Sequence, residues 1–166
     1  MSRRDQITMS DDEVRAFLDE ERVMTCATLG PSGWPHLMPL WYVLRPAAGA
    51  AGFTAWAWTF AKSQKVRNLE RDPRATLQVE AGRDRYDQLR GVMLETEVTI
   101  HRDTDRVAEL GLEIFARYTG NAAQPPGELP EEVRAMVLKQ APKRVGLEFA
   151  ERRRATWDHR KLGGTY

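Results

Sequence analysis

Cysteine is almost missing from this 166-residue chain: Cys26 stands alone. That excludes an intrachain disulfide framework and the paired-cysteine zinc patterns. An excess of either charge is missing too. Twenty-five Lys plus Arg against 24 Asp plus Glu leave a formal +1, whereas a dedicated nucleic-acid binder carries a marked basic excess. The uncharged stretch 47–61 is too short to span a bilayer and is broken by Gly49 and Gly52. The start, MSRRDQ, leads into a charged segment instead of an apolar signal core, so a cytoplasmic location is expected. His36, His101 and His159 show no metal-ligand spacing, and no Ser/His/Asp or Cys/His order stands out. What is present is ordinary for a globular protein, 42% hydrophobic and 30% charged, at a length that suits one domain over residues 1–166.

The hydrophobic period changes along the chain. Ser10 with Glu13 fits a capping box, and Val14, Phe17 and Leu18 share one face of a helix over 11–21. The first 21 residues hold seven acids and three arginines and read as a solvated face. From Val23 the period is two. VMTCATL (23–29) and HLMPLWYVL (36–44) flank the turn residues Gly30-Pro31-Ser32-Gly33 and read as a hairpin, with Pro39 at a bulge or an unpaired edge. An Ala/Gly/Pro loop covers 45–52. FTAWAWTF (53–60) divides into a bulky face, Thr54, Trp56, Trp58 and Phe60, and a small face, Ala55, Ala57 and Thr59.

A helix over 62–71 ends before Asp72-Pro73. Strands follow at 74–81 and 91–101, then a helix over 103–118 with Val107, Leu110, Ile114 and Tyr118 in one stripe. A Pro/Gly-rich loop at 120–130 precedes a helix to Gln140, a strand over 144–151 and the basic ending RRRATWDHRKLGGTY. Six strands against three or four short helices predict a mainly β (α+β) fold, an antiparallel β-barrel with helices on its ends.

The chemistry concentrates where the third strand meets the next helix. Residues 62–74 carry five basic and two acidic residues, and exposed N–H groups at a helix start attract anions. The segment reads equally as a phosphate cradle or as a solvated surface helix. The small face of the third strand leaves room for a flat ring, or else accommodates a tightly packed neighbour. Residues 151–161 again hold five basic and two acidic residues, with Trp157 and His159 among them, and read as a tail that docks on a pocket. Cys26 alternates with apolar neighbours and is expected to be buried and inert.

TFAKSQKVRNLERDPRATLQVE resembles the phosphate-binding strand–helix–strand segment of the pyridoxamine 5'-phosphate oxidase-like split-barrel flavoproteins. ATLGPSGWPHLMPLWYV resembles their first hairpin, LRGVMLETEVTIHRD their long following strand, and the likeness covers roughly residues 11–160. The KxxKVRNLxRDPR wording and the WDHRKLGG ending are most similar to the branch that uses the deazaflavin coenzyme F-420. The resemblance implies the split form of the antiparallel β-barrel and an oxidoreductase passing hydride between reduced F-420 and an unsaturated small molecule such as a quinone. The alternatives are an FMN-dependent oxidase or reductase, or a non-catalytic flavin or haem carrier. It also implies a homodimer with cofactor sites at its interface. Thr59, Lys62, Ser63, Lys65 and Asn68 would hold the phosphate. Met38, Pro39, Leu40 and Trp41 would line the ring, and Trp157, His159 and Arg160 would come from the partner chain. The closing Arg-Leu-Ala-Pro-type segment of the vitamin oxidases is absent, which argues against vitamin B6 oxidation. A proton for the substrate could come from Tyr42, His159 or water.

Overall fold

A computed structural model of the chain describes residues 2–48, 52–119 and 125–163. Parts of the loops expected at 45–52 and 120–130, and the last three residues, lie outside the described residues. Seven antiparallel strands form one sheet: β1 (Met24–Leu29), β2 (Pro35–Leu40), β3 (Tyr42–Pro46), β4 (Phe53–Phe60), β5 (Arg74–Ala81), β6 (Arg90–His101) and β7 (Arg144–Asp158), in the order β2-β1-β5-β6-β7-β4-β3. The two edge strands are therefore consecutive in the chain and joined by Trp41 alone. A sheet whose two edges are tethered by one residue must curl, and the seam between those edges is the split of the barrel.

The expected count was six strands. HLMPLWYVL is two strands because its partners change at Trp41: Leu40 pairs with Met24 on β1, whereas Tyr42 pairs with Ala57 on β4. Pro39 lies on edge strand β2, where a missing donor is tolerated. The hairpin turn before β2 is as expected, with Gly33 at φ +84°, a conformation that glycine adopts without a Cβ penalty.

The last strand corrects a second expectation. RRRATWD is not a free tail; it extends β7 to a length of 15 residues, pairing with β6 as far as Arg90↔Asp158. Its basic residues reach across to the acidic outer face of β6, Arg152 to Glu97 at 2.7 Å and Arg153 to Glu95 at 3.9 Å.

Among the described residues five α-helices decorate the sheet: α1 (Arg3–Gln6), α2 (Asp11–Glu20), α3 (Gln64–Arg71), α4 (Thr104–Thr119) and α5 (Glu131–Gln140). α1 was not expected from the sequence and is held by a Ser2–Asp5 capping box. α2 starts on the predicted box, with Ser10 N–H donating to Glu13 Oε2 at 2.7 Å. Its far end is closed by Arg117, whose Nη2 donates to the carbonyls of Leu18, Asp19 and Glu21 at 2.8–2.9 Å. Burying Val14, Phe17 and Leu18 seats α2 on the main core, which runs through Met24, Leu77, Val92, Leu147 and Phe149 inside the sheet. A second core of Trp58, Leu110, Ile114 and Val137 lies on the other face, under α4 and α5. Gly111 permits that contact: a Cβ there would overlap the Trp58 ring and stand 2.8 Å from Val137 Cγ1. No helix among the described residues is long and apolar enough to cross a membrane.

Candidate functional site

The barrel's seam opens into a cleft of about 430 Å³. Pairing of β3 with β4 stops at Tyr42↔Ala57, so Trp58, Thr59 and Phe60 have β7 on one side and no β3 partner on the other. Pro39, Leu40 and Trp41 form the facing wall, and Ile114 and Phe115 of α4 cover the opening. Trp41 is fixed by stacking on Tyr118, with centroids 4.6 Å apart and planes 12° from parallel. One side of the cleft is thus apolar and aromatic, the composition that receives a flat ring.

The polar side centres on Lys65. It is 7% exposed, and its ammonium donates to Thr59 Oγ1 at 3.1 Å. No carboxylate pairs with it among the described residues. Burial pulls its pKa down, the mark of a cation deprived of water without an anion in exchange. Ser63 sits at the N-cap of α3, yet its side chain makes no capping bond and its Oγ is buried without a partner. An ammonium, a hydroxyl and an unclosed helix start together lack one anion. A phosphate has the charge and the acceptor oxygens to fill that place, so these residues fit the phosphate of a flavin or deazaflavin.

Of the expected site residues, the seam brings together Pro39, Leu40, Trp41, Thr59 and Lys65, with Ser63 next to them. Lys62 is exposed at the same helix start. Met38 is 40% exposed on edge strand β2 and does not line the cleft. Asn68 is fully buried and used at both ends: Gln64 Nε2 donates to its Oδ1 at 2.9 Å, and its Nδ2 donates to Thr28 Oγ1 at 3.0 Å. It ties α3 to β1. Trp157, His159 and Arg160 lie at the opposite end of β7, where Trp157 pairs with Gly91. Val145, which pairs with Thr59, is 12 residues back along the same strand, roughly 40 Å at ~3.3 Å per residue.

Two supporting expectations are corrected. Ala55 and Ala57 do not leave room for a ring; they are 4% and 0% exposed inside the main core. The second basic cluster is already paired with carboxylates of its own chain. Arg154 pairs with Glu151 and Asp11, Arg160 with Asp158, and Lys161 with Glu13, all at 2.6–2.9 Å. Cys26 is buried, as expected, and its thiol is pushed up to about 12 by that burial. Neither protein-borne proton donor reaches the cleft within one chain. Tyr42 gives its hydroxyl to Leu18 O at 2.6 Å, and His159 lies at the far end of β7.

Sequence reading missed Arg144, Trp58, Phe115, Ile114 and Val23 as cleft residues. Arg144 carried no local signal, because its place at the mouth of the cleft comes from the pairing of β7 with the distant strand β4. Phe115 stands one residue off the Ile114 stripe, where periodicity does not distinguish a cleft cover from a core residue.

Comparison with known proteins bears on the whole arrangement. No curated protein matches the chain. A conserved hypothetical protein from Mycobacterium tuberculosis is 38% identical, with a TM-score of 0.81 over 100% of this chain and 95% of that one. An F-420 reductase shares the fold at 20% identity and a TM-score of 0.58, over 84% of this chain and 94% of the other. So does a haem storage protein from Vibrio cholerae, at 12% identity and 0.62 over 89% and 92%. The pyridoxamine 5'-phosphate oxidase family itself matches over residues 10–149. With that match across most of its length and a split barrel beneath it, the chain belongs to the pyridoxamine 5'-phosphate oxidase family.

Proposed function

We propose that the protein is an oxidoreductase that seats a phosphorylated tricyclic cofactor in the seam, coenzyme F-420 first among the candidates, and passes hydride to an unsaturated small molecule. The observation that carries this reading is Lys65, a buried ammonium with a hydroxyl for company and no counter-ion among the described residues. When bound, the cofactor supplies the hydride chemistry. The chain's own part is to hold phosphate on Lys65, Thr59 and Ser63, with Lys62 adding charge from outside. Trp41, Phe115 and Ile114 face the ring and keep water from it. Among the described residues of one chain no carboxylate or histidine lines the cleft, so solvent water or the second copy's His159 completes the proton balance. The shared fold of an F-420 reductase supports this choice of cofactor.

FMN is the second reading, and one observation favours it. The arginines and lysine of the ending that would attract the acidic tail of F-420 are committed to carboxylates of the same chain, and FMN needs only the phosphate cradle. In both readings the protein works as a homodimer, with Trp157, His159 and Arg160 reaching the cleft of a second copy. Exposed Trp34 and Leu37 beside and on edge strand β2 support such an assembly.

Titration of the purified protein with F-420 and with FMN separately tests the proposal. The expected result is micromolar binding of F-420, weaker binding of FMN, and a loss of about ten- to a hundredfold in Lys62→Ala plus Lys65→Ala, since charged hydrogen bonds to phosphate are each worth about 1.5–3 kcal/mol. Binding of FMN alone replaces the first reading by the second. Binding of neither overturns both.

A further inference from the structure

The seam holds a second cation that the phosphate cradle does not use. Arg144 opens β7 opposite Phe60. Its guanidinium carbon lies 4.5 Å from the Trp58 ring centroid and 4.2 Å from that of Phe60, so two rings fix its position. Its Nε and the Trp58 Nε1 are buried N–H donors with no acceptor. Other half-covered arginines do meet oxygens: Arg45 pairs with Glu113, Arg90 with Glu20, and Arg117 with main-chain carbonyls. Arg144 lines the cleft, and among the described residues no carboxylate pairs with it.

The two cations stand on opposite faces of β4. Successive side chains of a strand alternate, so Thr59, which holds Lys65, points with Ala55 and Ala57, while Trp58, which packs under α4, and Phe60 share the other face and hold Arg144. The free edge of β4 lies between them, and the cleft runs round it. One phosphate held on the Lys65 face therefore leaves Arg144 without an anion.

We infer that Arg144 and Trp58 form a second anion subsite, separate from the Lys65 cradle, which receives the carboxylate of a planar aromatic or conjugated acid. The planar guanidinium fork matches a carboxylate better than a point charge does, and Trp58 adds an indole donor beside it. The cleft wall carries no carboxylate to repel such a ligand. Under the proposed function this acid is the hydride acceptor, so the inference names that reading's substrate class; the binding itself requires no cofactor.

Calorimetric titration of the full chain with 2-naphthoate and its neutral isostere 2-naphthamide tests the subsite directly. Naphthoate is expected to bind about tenfold or more tightly, the gain of one charged hydrogen-bonded pair. Arg144→Met should abolish that preference and leave FMN affinity unchanged within about twofold, while Lys65→Met should do the reverse. Equal affinity for the two naphthalenes in the native chain, or binding of neither, overturns the inference without any variant. A preference that survives Arg144→Met also overturns it, as does an Arg144→Met loss of FMN as large as that of Lys65→Met, which would place Arg144 in the phosphate cradle. If neither FMN nor F-420 binds, the cofactor reading fails alone and the naphthalene pair still decides the subsite.

Discussion

The Trp41 indole lies flat on the Tyr118 ring, and the same tyrosine's hydroxyl closes on the backbone next to Trp41. Tyr42 N–H donates to Tyr118 Oη at 3.0 Å, and Tyr118 Oη donates to Tyr42 O at 2.9 Å. One side chain thus fixes the only residue between the two sheet edges. Tyr118→Phe keeps the stack and loses both hydrogen bonds, so urea unfolding should show a loss of about 1–3 kcal/mol with cleft ligands still bound. Tyr118→Ala removes the platform as well, and ligand affinity should then fall along with stability.

Lys65→Met should make the free protein more resistant to urea while weakening phosphate binding. The charged form is disfavoured by burial, and the folded-state pKa lies below the unfolded 10.5. Between those two values the unfolded chain binds more protons than the folded one, so stability of the native protein rises with pH there. Phosphate needs the protonated ammonium, so affinity falls across the same alkaline window. Opposite slopes of stability and affinity above neutral pH are the expected signature, and Lys65→Met should flatten both.

Gly111→Ala forces a methyl into the Trp58 ring and Val137. Overpacking of this kind costs about 1–3 kcal/mol, and the shift of α4 should alter Trp58 fluorescence.

Asn68→Ala should cost about 1–3 kcal/mol, because Thr28 Oγ1 and Gln64 lose a buried partner. FMN titration of the same variant should show affinity within about twofold of the native protein.

Acid should loosen the chain's ending. The Asp158 carboxyl is held below its usual range chiefly by the hydrogen bond from Arg160. A depressed carboxylate contributes stability above its unfolded value, and that contribution is lost as pH falls through the folded one, so the effect sets in below about pH 4. Asp158→Asn should show a smaller drop in melting temperature between pH 5 and pH 3 than the native chain.

Strand periodicity makes most of the sheet legible in the sequence, because residues such as Leu77 and Val79, or Val92 and Leu94, alternate in isolation. The exceptions share a cause. HLMPLWYVL stays apolar without a break from Leu37 through Trp41 to Leu44, so nothing local marks the change of partner from Met24 to Ala57. The charges in RRRATWD look like a solvated tail until Glu95 and Glu97 of β6 stand opposite, and that relation is non-local. At the site, Lys65 and Thr59 were legible because both fall in one short segment. Arg144 was not, since it arrives from a strand some 80 residues later in the chain. Asn68 looked like an anion ligand by its place on α3, and only packing shows that its amide belongs to Thr28.

The single-residue join at Trp41 also sets how this lineage of sequences is free to vary. Side chains on a strand change face with every residue, so one amino acid added or removed between Leu40 and Tyr42 would turn an entire border of the barrel inside out. Substitutions at that point alter shape, whereas insertions and deletions scramble topology. Evolutionary drift in length is therefore expected to bypass this hinge and to accumulate in the stretches before Phe53 and before Pro130.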